Sequence, residues 1–144
     1  MNILLVEDNE GDVELLREGI EITNPEVAVH HVENGEECMA FLRKRDKHAH
    51  APTPDLILLD LNLPLMDGRE VMAAINADQQ LKHLPVVVLT TSTAQLDILK
   101  MYQLRCSSYI VKPVNFSQFV RIIRSLIDYW FGVVELPRNN QAPA

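Results

Sequence analysis

The chain has 144 residues, 47% of them hydrophobic and 23% charged; this suits one globular core, since single domains commonly run about 100–200 residues. With 20 acidic residues against 13 basic, a formal net charge of -7 and no Lys/Arg-rich arm, nucleic acid is excluded as an expected direct partner. The longest apolar runs fall far short of the ~20 residues that cross a bilayer, which excludes a membrane-spanning helix.

The chain opens on a strand-like run, residues 3–6 (ILLV), with no basic segment ahead of an apolar one. No secretory leader is therefore expected, and the expected location is cytoplasmic. Val13, Leu16 and Ile20 follow at helical spacing. A second strand is predicted over 27–32. A turn at Gly35 then leads into a helix carrying Cys38, Phe41 and Leu42. The polar stretch 44–54 (KRDKHAHAPTP) connects to a third run, 56–59 (LILL), and Val71, Met72 and Ile75 mark a third helix. A fourth strand spans 86–89 (VVVL), and Leu96, Leu99 and residues 100–102 supply the apolar stripe of a fourth helix. After a fifth strand at 109–111, Asn115 is a plausible N-cap for a long helix built on Phe116, Phe119, Val120, Ile123, Leu126, Ile127 and Trp130. A domain over 1–134 with a tail over 135–144 is expected, residues 137–144 being frayed.

The alternation reads (βα)₅, an α/β fold. Runs such as LILL and VVVL are apolar throughout rather than alternating, as expected of a parallel sheet covered on both faces. A doubly wound sheet of this kind presents its functional groups at the carboxyl ends of the strands. Those ends carry Glu7 and Asp8, Asp60, Thr90 and Lys112. Three ionised carboxylates repel one another unless a cation sits among them. Mg²⁺ is the natural candidate, because it takes oxygen ligands and combines carboxylates with phosphate oxygens. Asp60 is the best nucleophile, since a carboxylate can attack phosphorus to give an acyl phosphate. Lys112 and the Thr90 hydroxyl would stabilise charge on the transferring phosphoryl oxygens.

The stretches LLVEDN at 4–9, LLDLNLPLMDG at 58–68, VVVLTTS at 86–92 and YIVKP at 109–113 resemble the response-regulator receiver family, over residues 3 to about 134. The resemblance implies a flavodoxin-like sheet in the order 2-1-3-4-5. It also implies a stand-alone response regulator of a two-component phosphorelay, with Asp60 as phosphoacceptor. Glu7, Asp8, Asp60 and the Asn62 backbone carbonyl would hold Mg²⁺, with Mn²⁺ as a substitute. Thr90 and Lys112 would contact the phosphoryl group, and Tyr109 matches the aromatic switch, whose ring turns inward when the Thr hydroxyl moves toward the phosphate. The Lys112–Pro113 bond would be cis, and the signal would leave through helix 4, strand 5 and helix 5. Such a domain is not an enzyme with an external substrate, although it catalyses its own phosphorylation and dephosphorylation.

Two positions depart from the common pattern. Glu7 stands where many receivers have a second Asp, and Thr91 follows Thr90 where a small Ala is usual. The polar insertion and the extension YWFGVVELP at 129–137 resemble cyanobacterial regulators that pair with phytochrome-type histidine kinases, implying a sensor kinase of that type as phosphodonor. The last helix also carries Ile122, Tyr129 and Val133 on a second side, and a second apolar stripe points to a homodimer. An aspartyl-nucleophile phosphatase is the rival reading, from DLN at 60–62, but Asn62 cannot serve as acid or base. A protein-binding pseudo-receiver is the other, and the intact acid pocket argues against it. His30 and His31 are adjacent in a strand and point to opposite faces, so they do not share a metal. Cys38 and Cys106 read as buried apolar residues in a reducing compartment.

Overall fold

In the computed structural model, which describes residues 1–139, all five predicted strands form. They are β1 (Asn2–Val6), β2 (Ala28–Val32), β3 (Leu56–Leu59), β4 (Val86–Thr90) and β5 (Ser108–Val111). Every neighbouring pair is parallel and the order is β2-β1-β3-β4-β5. The helices between and after them are α1 (Glu10–Thr23), α2 (Gly35–Leu42), α3 (Gly68–Ala77), α4 (Gln95–Gln103) and α5 (Phe116–Gly132). Among the described residues no helix is long and apolar enough to cross a membrane.

The continuous apolar strands are explained by what covers each face. Leu4, Val6, Ile57, Leu59, Val86 and Val88 point into one core with α2 and α3. Ile3, Leu5, Leu56, Leu58, Val87 and Leu89 point into the other with α1 and α5. Side chains alternate along a strand, so burial on both faces demands an apolar residue at every position. Each fully buried Leu or Ile contributes about 1.5–3 kcal/mol.

Side-chain N-caps start four helices: Asn9 for α1, Asn34 for α2, Asp67 for α3 in a capping box with Glu70, and Asn115 for α5. The first of these helices begins at Glu10, shortly after β1 ends at Val6, so residues 7–12 follow the carboxyl end of β1.

The fourth helix departs from expectation. Leu96 is 82% exposed, Leu99 55% and Tyr102 49%, whereas Met101 is fully buried. Asp97 and Met101, four residues apart and so on one face of the helix, turn inward instead. Asp97 is drawn in by an ion pair described below, and this sets the rotation of the helix against its apolar spacing. The C-terminal end also differs. Residues 134–139 lie against Met1, Asn2 and Asp55 at the end of the sheet away from Asp60, and the Asn139 Oδ1 is 3.0 Å from His83 Nε2. The rest of the expected frayed tail, 140–144, lies outside the described residues. In the polar insertion, His48 ends a short 3₁₀ turn and its ring packs on Phe41 with centroids 5.3 Å apart.

Candidate functional site

Parallel pairing brings the strand ends together. The Asp60 N–H donates to the Val6 carbonyl at 3.1 Å, and the Lys112 N–H to the Thr90 carbonyl at 2.8 Å. Each residue is thereby held one step past its strand, with the backbone still in register. Glu7 is 2% exposed, Asp60 7% and Thr90 0%, while Asp8 is exposed at the mouth. Carboxylate oxygens of Glu7, Asp8 and Asp60 all lie within 4.8 Å of one another.

The Lys112 ammonium occupies the floor of this cluster. Its Nζ donates to Glu7 Oε2 at 2.7 Å, Asp12 Oδ2 at 2.8 Å and Asp60 Oδ2 at 3.1 Å. An ammonium has three N–H donors, so this one is saturated by carboxylates. Burial alone would lower its pKa, but hydrogen bonds to Asp12 and Glu7 and the charges of Glu7 and Asp60 outweigh burial and raise it. Lys112 stays charged.

Three carboxylates bond that one ammonium, and Glu7 and Asp60 do not share the excess negative charge equally. Burial, reinforced by the charge on Asp60, pushes the Glu7 carboxyl up from 4.5 to about 7 in spite of Lys112. Burial acts on Asp60 in the same sense, yet the Lys112 charge and hydrogen bonds from Thr90, Glu7 and Lys112 prevail and lower its pKa. Of the two, Glu7 is therefore the one that holds a proton as pH falls below about 7, and Asp60 keeps the negative charge. That is the distribution a carboxylate nucleophile requires. A second cation entering beside Asp8 would release the Glu7 proton. The oxygen-only donor set and its surplus of negative charge fit a divalent ion such as Mg²⁺.

Close backbone packing shapes the approach to Asp60. Leu61 and Leu63 are buried and hold the segment down, while Asn62 between them is exposed and its N–H donates to Asp60 Oδ1 at 3.3 Å. A Cβ on Gly68 would stand 2.2 Å from the Asp60 carbonyl oxygen, and one on Gly35 2.0 Å from that of Met66. Both positions require glycine because another backbone passes there. Thr91, the residue after Thr90, is exposed.

Tyr109 packs half-buried against the core on the α2/α3 side. Its hydroxyl donates to the Ser92 carbonyl at 2.9 Å. The ring is thus turned toward the core, with its hydroxyl on the segment that follows β4. No cis peptide bond occurs among the described residues, so the Lys112–Pro113 bond is trans, contrary to expectation. The trans form is intrinsically preferred by about 0.5–1 kcal/mol, and Lys112 reaches all three of its carboxylates from it.

Of the three residues on the second apolar stripe, Ile122 and Tyr129 line a groove of about 610 Å³ between β5 and α5, together with Ile110, Leu126 and Trp130. Val133 is exposed at the C-cap of α5 and is not part of the groove lining. His30 and His31 are engaged separately, with Asn2 Oδ1 at 3.0 Å and the Glu7 carbonyl at 2.7 Å. Cys38 and Cys106 are free and buried, and burial pushes their thiols up to about 12 and about 11.

Sequence reasoning missed Asp12. It stands four residues before Leu16 and eight before Ile20, so it heads the inward stripe of α1. An acidic residue at the end of an apolar stripe was the available signal.

Fold and site together define a doubly wound α/β domain with a carboxylate cluster at its strand ends that suits a divalent cation. Residues 3–124 match the family model for the response regulator receiver domain. The response regulator Rcp1 of Synechocystis sp. is 38% identical over 135 residues, which cover 94% of this chain and 92% of that protein. Among solved structures, the phosphorylated cyanobacterial phytochrome response regulator RcpA superposes with a TM-score of 0.92 at 44% identity, covering 95% of this chain and 98% of the other. The Mn²⁺-bound form of Rcp1 superposes with a TM-score of 0.91 at 38% identity, covering 95% and 99%. The chain belongs to the response-regulator receiver family.

Proposed function

We propose that this chain accepts a phosphoryl group on Asp60 from a phosphohistidine of a phytochrome-type sensor kinase and passes the signal on through α4, β5 and α5. The observation that carries the reading is the ionised, 7% exposed Asp60 with the Lys112 ammonium at 3.1 Å. An Asp60 carboxylate oxygen forms the new O–P bond as the donor's N–P bond breaks, and the departing imidazole nitrogen takes a proton from solvent. Lys112 and the Thr90 hydroxyl hold the phosphoryl oxygens in place as charge shifts. A divalent cation held by Glu7, Asp8, Asp60 and the Asn62 carbonyl, Mg²⁺ or Mn²⁺, supplies charge neutralisation to the same oxygens when bound.

Names of relatives support the kinase class, since RcpA is a cyanobacterial phytochrome response regulator. The apolar groove between β5 and α5 supports a homodimer through that face, with Ile122 and Tyr129 inside it. Residues 1–134 act as the receiver unit, with 135–144 as its tail. The protein works in the cytoplasm on proteins, not nucleic acid, and turns over no external substrate.

The test is incubation with Mg²⁺ and acetyl phosphate, followed by mass measurement. A base-labile mass gain that Asp60→Asn abolishes is expected, and no gain in the wild type would refute the reading. Sedimentation showing only monomer at high micromolar concentration would refute the dimer. Transfer from a phosphorylated phytochrome-type kinase, but not from an unrelated one, checks the donor.

A further inference from the structure

Ser92, just after β4, is held from two directions. Its carbonyl accepts from the Tyr109 hydroxyl at 2.9 Å, and its Oγ donates to Asp97 Oδ2 at 2.6 Å. Asp97 is itself gripped by Arg69, whose Nε and Nη2 reach the two carboxylate oxygens at 2.7 and 2.8 Å. Such a two-pronged pair fixes orientation as well as distance. Arg69 follows Gly68, whose Cα is pressed against the Asp60 backbone, so the α3 end of the link is anchored beside the phosphoacceptor. The other end is otherwise weakly held. Ala94 at the N-cap of α4 makes no side-chain cap hydrogen bond, whereas α1, α2, α3 and α5 each have an Asn or Asp cap. The segment between β4 and α4 is exposed at Thr91, Thr93 and Ala94.

We propose that Arg69 and Asp97 are positioning residues, a clamp from α3 to α4 that fixes the Ser92 carbonyl where it receives Tyr109 and so biases the switch toward its inward position. The clamp adds a charged route from the phosphoacceptor loop to Tyr109, parallel to the one through Thr90. It explains why α4 turns Asp97 inward and leaves Leu96 and Leu99 in solvent. This rests on Tyr109 acting as the switch in the function proposed above.

The experiment uses full-length protein labelled with 3-fluorotyrosine, with the Tyr109 resonance assigned by Tyr109→Phe and read without phosphodonor. Asp97→Asn and Arg69→Gln should each lower the ratio of inward to outward Tyr109 by about three- to fivefold, the scale of a partly exposed ion pair. The double variant should lose no more than either single one, because both break the same link. A Tyr109 resonance unchanged in both single variants, or losses that add in the double, would overturn the clamp. Thermal unfolding checks that the variants are folded. Asp60 labelling by acetyl phosphate is measured in parallel: failure of the clamp leaves that labelling intact, and failure of labelling leaves the Tyr109 signal readable.

Discussion

Replacing Glu7 by Gln removes a buried titration, and its size follows from the site. The Glu7 side chain is 2% exposed and its carboxyl is pushed up from 4.5 to about 7. In the unfolded chain the same group ionises near its ordinary value. Between about 4.5 and 7 the folded protein therefore binds one more proton than the unfolded one, and stability falls as pH rises through that window. The full loss, reached above about 7, is ~3 kcal/mol from the displacement of the pKa. For a chain of this size that corresponds to a fall of about 10 °C in Tm. Calorimetric melts with chelator at several values between pH 4.5 and 8.5 measure it. The quantity that matters is the difference between wild type and Glu7→Gln, since groups remote from the site titrate equally in both, and Asp60, which interacts with Glu7, keeps its pKa low, outside the pH window that is read. Mg²⁺ binding should show the complement, because the metal displaces the Glu7 proton. Affinity then rises by up to about tenfold per pH unit below 7 and levels off above it. Identical pH dependence of Tm in the two proteins, or a metal affinity independent of pH, would refute the assignment of the proton to Glu7.

Lys112→Ala leaves Glu7, Asp12 and Asp60 without their shared cation; without added metal it should cost ~3–5 kcal/mol in denaturant unfolding and slow phosphorylation from acetyl phosphate by at least about a hundredfold. Gly68→Ala forces a Cβ toward the Asp60 carbonyl oxygen, so the loop must move; labelling at Asp60 should slow more than about tenfold in a protein that still melts cooperatively. Asp97 is held down to about 2 by hydrogen bonds from Arg69 and Ser92. Its stabilisation is present above its ordinary carboxyl range and is lost as pH falls through about 2. Its side chain is 18% exposed and that of Arg69 34%, so solvent limits the effect to ~1 kcal/mol or less; an acid titration in which Asp97→Asn matches wild type down to pH 2 would count against it.

Strand positions were legible because burial on two faces demands apolar residues without interruption, and LILL at 56–59 has no other economical reading. Asp60, Glu7 and Lys112 were legible because parallel strands place their carboxyl ends on one rim, so sequence position alone brings them together. The rotation of α4 was not legible. Leu96 and Leu99 have helical spacing, but spacing reports which residues share a face and says nothing of polar contacts from other elements. The Arg69 side chain, 28 residues away in sequence, selects the other face.

By itself, then, the sequence determined the order of elements, the two-sided core and the carboxylate, hydroxyl and ammonium groups at the strand ends, since these depend on local periodicity and on a topology that few chains of this pattern escape. Only the tertiary structure decided that Asp12 joins Lys112, that Glu7 takes up a proton more readily than Asp60, and that Arg69 grips Asp97 near Tyr109. Each of these depends on distances of about 3 Å or on the depth of burial between groups remote in sequence, and electrostatic energies change too steeply with both for composition or spacing to encode them.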